Sequence, residues 1–399
     1  MVDWPKPSRF DVAAHRKTRD MTTPNVLYAV AADFAGAGIG RTAYRAALGL
    51  DRAGMLARVA CLSARPCEIE PARIDAYPFL PDAARRVAGD KLYYEAKNRA
   101  FDARLMRAIG RAEGLTSIHV WNSQATGAIA EAKRRGLGVV VDRASTHIRT
   151  QSRILRDAYA RHGIRYEPTH DRVVARCLRD YDLADLVTVP SPFAHDSFLA
   201  EGFDPARLVL NPFGANLNVV APPIAARPGP FTVLFVGQIG VRKGVPELLA
   251  AWERAALPDA RLVLAGGIEP MSRRIIDPDR PRPGVTFAGF VADVGALMRT
   301  AHVFAFPSIE EGSALVTYEA MAHGLPMIVT PNAGSVARAD EDALFVPPGD
   351  IDALADALRR LHDDADLRDR LLRSARARVE QFPWAAYGER TAETHQRLA

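Results

Sequence analysis

Two glutamates with seven residues between them, Glu311 and Glu319, and one basic pair, Arg242-Lys243, are the residues of this 399-residue chain best placed to do chemistry. Carboxylates accept hydrogen bonds from hydroxyl-rich ligands, and adjacent cations neutralise phosphate. The acids lie in VFAFPSIEEGSALVTYEAMAHGLPMIVT, residues 303–330. This stretch opens on an apolar run, Val303 to Phe306, that reads as a buried strand, and crosses a polar loop from Pro307 to Gly312. It then enters a helix and leaves through Gly324-Leu325-Pro326 into another apolar strand. Ser313 is the expected N-cap and Gly324 the stop. With a helix starting near Ser313, Glu319 sits about 9 Å along the axis, so both acids border one cleft. The free amides of the helix start, at Ser313, Ala314 and Leu315, lie between them and suit an anion. A first turn merely stabilised by acidic neighbours is the plainer alternative for Glu310 and Glu311.

A ribose, a diphosphate and a sugar, laid end to end, fit that spacing. The run Glu311-Gly312 through Glu319-Ala320-Met321-Ala322, followed by Gly324 and Pro326, resembles the E-x7-E signature of the group 1 retaining glycosyltransferases. The resemblance covers most of residues 25–399 and is strongest over 231–350. It implies an α/β chain of the GT-B class, two Rossmann-like domains facing each other across a cleft. Their expected bounds are 25–220 for an acceptor domain and 221–383 for a nucleotide-sugar domain, after a polar lead-in at 1–24. A last helix, 384–399, would cross back onto the first domain.

What the resemblance implies for single residues can be set against their surroundings. In the second domain, Phe231 to Val236 reads as a strand that delivers Gly237 and then Arg242 and Lys243 to a helix starting at Pro246. Arg242 and Lys243 look like the family's phosphate-binding pair. Many members carry Arg directly after the first Gly, and this chain has Gln238 there. Glu311 would orient the donor sugar and Glu319 would hold the ribose. His147, which follows the buried run Gly138 to Asp142 and Arg143-Ala144-Ser145-Thr146, would line the sugar pocket; His119 and His162 are not candidates. The runs Leu262 to Gly267 and Val285 to Val291 would frame the base, UDP- or GDP-linked. The resemblance predicts no cofactor and no metal, so Asp277-Pro278-Asp279, the DxD weighed as a metal motif, reads as a turn in a Pro-rich loop.

The first domain is less explicit. Asn25 to Ala32 reads as a strand, and Gly36, Gly38 and Gly40 follow it with Arg41 before a helix. That spacing is not G-x-G-x-x-G, which leaves a nicotinamide enzyme a minor alternative. Gly38 and Gly40 are candidates for close backbone approach to the donor, against a plain tight turn. Arg41, with Asn122 and Gln124 beyond the run Ser117 to Trp121, are acceptor-site candidates, because open α/β sheets bind ligands past their strand ends. The Pro-rich run Ala221 to Pro230 reads as a linker.

Composition narrows the partners. Residues 1–220 hold 32 Lys+Arg and 24 Asp+Glu, a balance of +8, and residues 221–399 hold 20 and 23, a balance of −3. The basic first half suits solvated Arg-rich helices, or attraction to anionic lipid headgroups or an acidic acceptor, equally well. No basic stripe is interleaved with aromatics, which argues against nucleic acid. The three cysteines, Cys61, Cys67 and Cys177, form no CxxC and read as reduced thiols of a cytoplasmic protein, with peripheral membrane contact at most. No 18-residue apolar run and no signal-peptide pattern is present. A transferase acting on a glycan, glycolipid or small-molecule acceptor is therefore expected. The rival readings are a nucleotide-sugar isomerase or epimerase of similar fold and a non-catalytic nucleotide-sugar-binding protein.

Overall fold

Apolar runs that lie in parallel sheets covered on both faces need no polar alternation, and such runs build both sheets here. In the computed structural model, residues 23–79, 89–166, 170–219, 227 and 229–398 are described. The lead-in to residue 22, positions 83–88 of the helical stretch that the sequence suggests from about Ala83 to Ala112 with a break near Asp90, and most of the Pro-rich run 221–230 lie outside them.

The first group of elements is β1 (Val26–Phe34), α1 (Ile39–Arg52), β2 (Leu56–Ala64), β3 (Ile74–Ala76), α2 (Asp90–Arg111) and β4 (Ser117–Trp121). There follow α3 (Thr126–Arg134), β5 (Gly138–Asp142), α4 (Ile148–Arg161), α5 (Asp171–Leu183), β6 (Leu186–Val189), α6 (Pro192–Ala200) and β7 (Leu208–Leu210). The second group is β8 (Phe231–Val236), α7 (Val245–Ala255), β9 (Ala260–Ala265), α8 (Arg273–Ile276), β10 (Val285–Gly289), α9 (Val294–Thr300) and β11 (Val303–Phe306). It continues with α10 (Leu315–Ala322), β12 (Met327–Val329), β13 (Leu344–Phe345), α11 (Ile351–Asp363), α12 (Ala365–Val379) and α13 (Trp384–Gln396).

Strand order is β3-β2-β1-β4-β5-β6-β7 in one sheet and β10-β9-β8-β11-β12-β13 in the other. The β8–β9, β9–β10, β8–β11, β11–β12 and β12–β13 pairings are all parallel, as are β1–β2 and β1–β4. Val139 to Val141 in β5, and Val233 and Phe235 in β8, are wholly buried. Each order reverses direction once, between β1 and β4 and between β8 and β11. At such a reversal the flanking loops part, and the crevice at the strands' carboxyl ends takes ligands.

By its contacts the chain divides into a unit of residues 1–141, 183–186 and 388–399 and a unit of residues 142–182 and 187–387. This grouping counts 142–182 with the second sheet, whereas the sequence reading divides the chain at 220.

Within the first unit a buried polar chain anchors the end of α13. His395 Nδ1 lies 2.8 Å from Ser117 Oγ, and its Nε2 lies 3.1 Å from His119 Nδ1. His119 stacks on Tyr28, whose hydroxyl accepts from Trp121 Nε1. Burial and the neighbouring His119 hold His395 well below the usual histidine range, so its ring is neutral in the folded chain. An unfolded chain binds that proton near pH 6.5, so stability is fully present above pH 6.5 and is lost as the pH falls below it. Melting followed from pH 7.5 to 5 is expected to show that decline in the wild type and a shallower one in His395→Gln. Equal slopes would remove His395 as a cause.

Candidate functional site

Loops leaving β8 and β11, the two strands at the reversal of the second sheet, carry the residues singled out by their chemistry. After β8 the chain passes Gly237, whose φ of 150° is open to glycine and not to side-chain-bearing residues. It then makes a 3₁₀ turn over Val241–Lys243 and enters α7. After β11 the chain runs through Pro307 to Ala314 before α10 begins at Leu315.

Arg242, Lys243, Glu310 and Glu311 meet where these loops touch. Lys243 Nζ is in direct contact with Glu311 Oε1, and Arg242 Nη2 lies 2.8 Å from Glu310 Oε2 and 3.8 Å from Glu311 Oε2. Glu310 is the fully buried acid of the pair and Glu311 the half-buried one. Burial opposes charge on Glu310. The Arg242 guanidinium overcomes that, together with bonds donated by Ser145, Gln151 and Thr146, and brings the carboxyl down to about 2. Lys243 sits mostly out of water beside the Phe306 ring. Burial, then the Arg242 charge, pull its ammonium down to about 7 against the Glu310 and Glu269 carboxylates.

The helix start differs from the sequence expectation. Ser313 does not cap it: Ala314 holds the N-cap position with no side-chain bond, and α10 starts at Leu315. The Ser313 hydroxyl donates instead to the Gly334 carbonyl at 2.9 Å and lies 3.1 Å from the Tyr318 hydroxyl. The Ala314 amide is committed to the Ala333 carbonyl. The physical reason is that the loop over 331–334 runs alongside and pairs with these groups first. Among the described residues no acceptor meets the amides of Leu315 and Val316, which are the open donors of this helix end. Glu319 lies one turn along the helix from Leu315, half-buried, on the same face.

His147 is placed as the N-cap of α4. Its Nδ1 accepts from the Arg149 amide, its own amide donates to Ser197 Oγ at 2.8 Å, and its ring packs against Tyr181 and Phe198. Its carbonyl accepts from the Gln151 amide. Burial pulls its ring down to about 4, so it is neutral at physiological pH. The two residues before it, Ser145 and Thr146, are the ones that reach the acid cluster, each donating to Glu310 Oε1.

In the first unit, Gly38, Gly40 and Arg41 lie where β1 gives way to α1. Gly38 has φ 58°, ψ −127°, and a Cβ at Gly40 would collide with the Asp33 carbonyl. Arg41 is exposed at the surface. Gln124 spends its side-chain oxygen on the Ala31 amide at 2.7 Å, which makes it a tie between the β1 and β4 exits. Asn122 is largely buried next to it. Asp277 and Asp279 form a turn in which the Asp279 amide donates to Asp277 Oδ1, and Asp279 is exposed.

The sequence offered Glu310 only as an acidic neighbour of the helix start and gave no sign of Gln151 or of the pair Tyr159–Glu269. Tyr159 donates to Glu269 Oε1 at 2.6 Å, and Glu269 also accepts from Ser272, whose hydroxyl accepts from the Val241 amide. Of two adjacent glutamates, which one turns inward depends on partners more than a hundred residues away. Only the doubled acid itself was available as a signal.

Residues 230–364 match the family described as Glycosyl transferases group 1. The glycogen synthase of Mycobacterium tuberculosis is 30% identical over 212 residues, 49% of this chain and 50% of that protein. The chain thus spans about half the length of the curated relatives it matches. Among solved structures, sucrose-phosphate synthase from Thermosynechococcus elongatus superposes with a TM-score of 0.71 at 23% identity, over 94% of this chain and 99% of that one. Anabaena HepE, solved in complex with UDP and glucose, gives 0.64 at 15% identity, over 93% and 99%. At these identities the likeness is one of fold. The chain has the GT-B fold, and its residues 230–364 are similar to the group 1 glycosyl transferases.

Proposed function

We propose that this protein moves a hexose from a UDP- or GDP-linked donor to a glycan, glycolipid or small-molecule hydroxyl, with retention at the anomeric carbon and without metal or cofactor. The observation that carries the reading is the meeting of Arg242 and Lys243 with Glu311, beside the open amides of α10, at the reversal of the second sheet. Positive charge fixed in advance where a diphosphate leaves is the strongest single stabilisation such a site can offer its transition state. Glu311 receives the hydroxyls of the donor sugar and Glu319 those of the ribose. As the bond from the anomeric carbon to the phosphate oxygen breaks, the acceptor oxygen bonds to the same face. Its proton passes to the departing phosphate oxygen.

The reaction is tested by incubating the protein with UDP- and GDP-hexoses and a panel of acceptors, with and without EDTA, and analysing the products. Chelator-insensitive nucleoside diphosphate release, with an α-linked product from an α-donor, is expected. A changed sugar still attached to its nucleotide would make the protein an isomerase or epimerase instead.

Lys243 gives this reading a pH signature. Only the ammonium form neutralises a diphosphate, so donor affinity in the free protein is expected to fall as the pH rises through about 7. Calorimetry from pH 6 to 9 checks this, with Lys243→Arg, whose charge does not titrate, as the comparison. A flat wild-type profile would contradict it.

We place the protein in the cytoplasm, in contact with anionic membrane through its basic N-terminal half. In support, α2 exposes Leu92, Tyr94 and Met106 along with Arg99, Arg104 and Arg107. No helix among the described residues is long and apolar enough to cross a membrane.

A further inference from the structure

Glu310 is a carboxylate with no exposed surface, yet it belongs to the loop that meets the donor in the proposed function, on which this inference rests. Its carboxylate oxygens are divided between two sets of donors. Oε1 accepts from Ser145 Oγ at 2.7 Å and Thr146 Oγ1 at 2.8 Å, while Oε2 accepts from Gln151 Nε2 at 3.1 Å and faces Arg242 Nη2 at 2.8 Å. Its backbone carbonyl takes Arg242 Nε at 3.1 Å. One residue therefore grips Arg242 at two points, Nε and Nη2, along a single edge of the guanidinium. Two-point contact fixes the plane of that rigid fork, which a single contact does not. Nη1 has no partner among the described residues, and the side chain is one-third exposed.

The hydroxyls and amide on the far side matter as much. A buried carboxylate with only one cation would draw that cation wholly to itself. Ser145, Thr146 and Gln151 take up most of its accepting capacity, so Arg242 is held by one edge and its other nitrogen stays free to bind.

We propose that Glu310 is a positioning residue that sets the guanidinium of Arg242 for a donor diphosphate, with Glu311 left to the sugar. A glutamine at 310 keeps the shape and an oxygen for Ser145 and Thr146 but presents Arg242 with an amide N–H or a weaker, uncharged acceptor.

Two readouts test this. The first needs no donor: in protein labelled with 15N-arginine, the Nε–H signal of Arg242, assigned by its absence in Arg242→Lys, is expected to be slow to exchange with water and to lose that protection in Glu310→Gln. The second is donor affinity: Glu310→Gln is expected to weaken it roughly 10-fold, and Arg242→Gln/Glu310→Gln to be no weaker than Arg242→Gln alone. Unchanged protection and affinity in Glu310→Gln, or a double variant that loses the product of both single losses, overturns the proposal. Should Glu310→Gln not fold, Glu310→Asp, which keeps the charge one methylene short, is read by the same two measurements and is expected to lie between wild type and Arg242→Gln. A wild type that binds no donor would sink the transferase reading, and the Nε–H protection would then decide the role of Glu310 by itself.

Discussion

Lys243→Ala is expected to lower kcat/KM for donor turnover by about 10²- to 10³-fold, the loss seen when one preset charge stabiliser is removed from a dry site. The ammonium is the most buried positive charge of the site and touches Glu311 directly. Its removal does two things at once. In the proposed reaction the departing diphosphate loses a buried cation, and Glu311 loses its ammonium partner. Lys243→Arg keeps the charge but not the compact shape, and is expected to recover only part of the rate. Steady-state kinetics at saturating acceptor, beside a melting curve to confirm folding, reads the effect. A folded Lys243→Ala protein within threefold of wild type would remove Lys243 from the site.

The largest loss of stability is expected at Arg227, which holds helix ends and is not itself a candidate site residue. This arginine is buried and directs its guanidinium at the carboxyl ends of two helices. Nη1 donates to the carbonyls of Met298, in the last turn of α9, and of Ala301 just after it, and Nη2 to those of His323 and Gly324 after α10. Helix ends leave these carbonyls unpaired and carry partial negative charge, so one buried cation satisfies both. Burial lowers its pKa to about 10, which leaves it charged at neutral pH. Arg227→Ala strands several buried carbonyls and is expected to cost about 3 kcal/mol. For a unit of this size that is a fall in Tm of roughly 6–12 °C. Arg227→Lys cannot span both helix ends and is expected to recover less than half. Thermal unfolding of the three proteins checks this, and a fall under 2 °C for Arg227→Ala would contradict it. Because α10 carries Glu319, donor binding in Arg227→Ala is expected to weaken as well.

Neither Arg227 nor Glu310 was legible in the sequence, and the reasons are alike. Arg227 lies in a Pro-rich run that composition reads as a linker, and its acceptors come from positions 298–324. Glu310 sits beside the acid that completes the seven-residue spacing, and its partners come from positions 145–151 and 242. Long-range pairing of a polar side chain leaves no local pattern. Strands of parallel sheets do leave one: Gly138 to Asp142, Phe231 to Val236 and Val303 to Phe306 coincide with the observed strands because burial on both faces favours near-continuous apolar runs, and Ser117 to Trp121 coincides although His119 interrupts it. Loop glycines were legible for a related reason, since Gly38 and Gly237 occupy backbone conformations that few other residues tolerate. The end of the α10 helix at Gly324 was read from its residue type, φ 61° in the structure. Its N-cap was misread by one residue, Ser313 for Ala314, since the 331–334 loop claims Ser313 and Ala314 and no nearby residue announces that. Arg242, Lys243 and Glu311 came together as their order along strand, loop and helix suggested. His147, by contrast, is occupied as a helix cap, with its neighbours Ser145 and Thr146 touching the cluster instead.

The proposed donor site is built on Arg242, Lys243, Glu311 and Glu319. Calorimetric titration of UDP, GDP, ADP and their common hexose derivatives into wild type and Glu319→Ala tests it without knowledge of the acceptor, since binding to the native state needs no turnover. One nucleotide is expected to bind selectively, with or without EDTA, and Glu319→Ala is expected to weaken it at least 10-fold. A folded wild type that binds none of them, or a Glu319→Ala protein that binds as well as wild type, would contradict it.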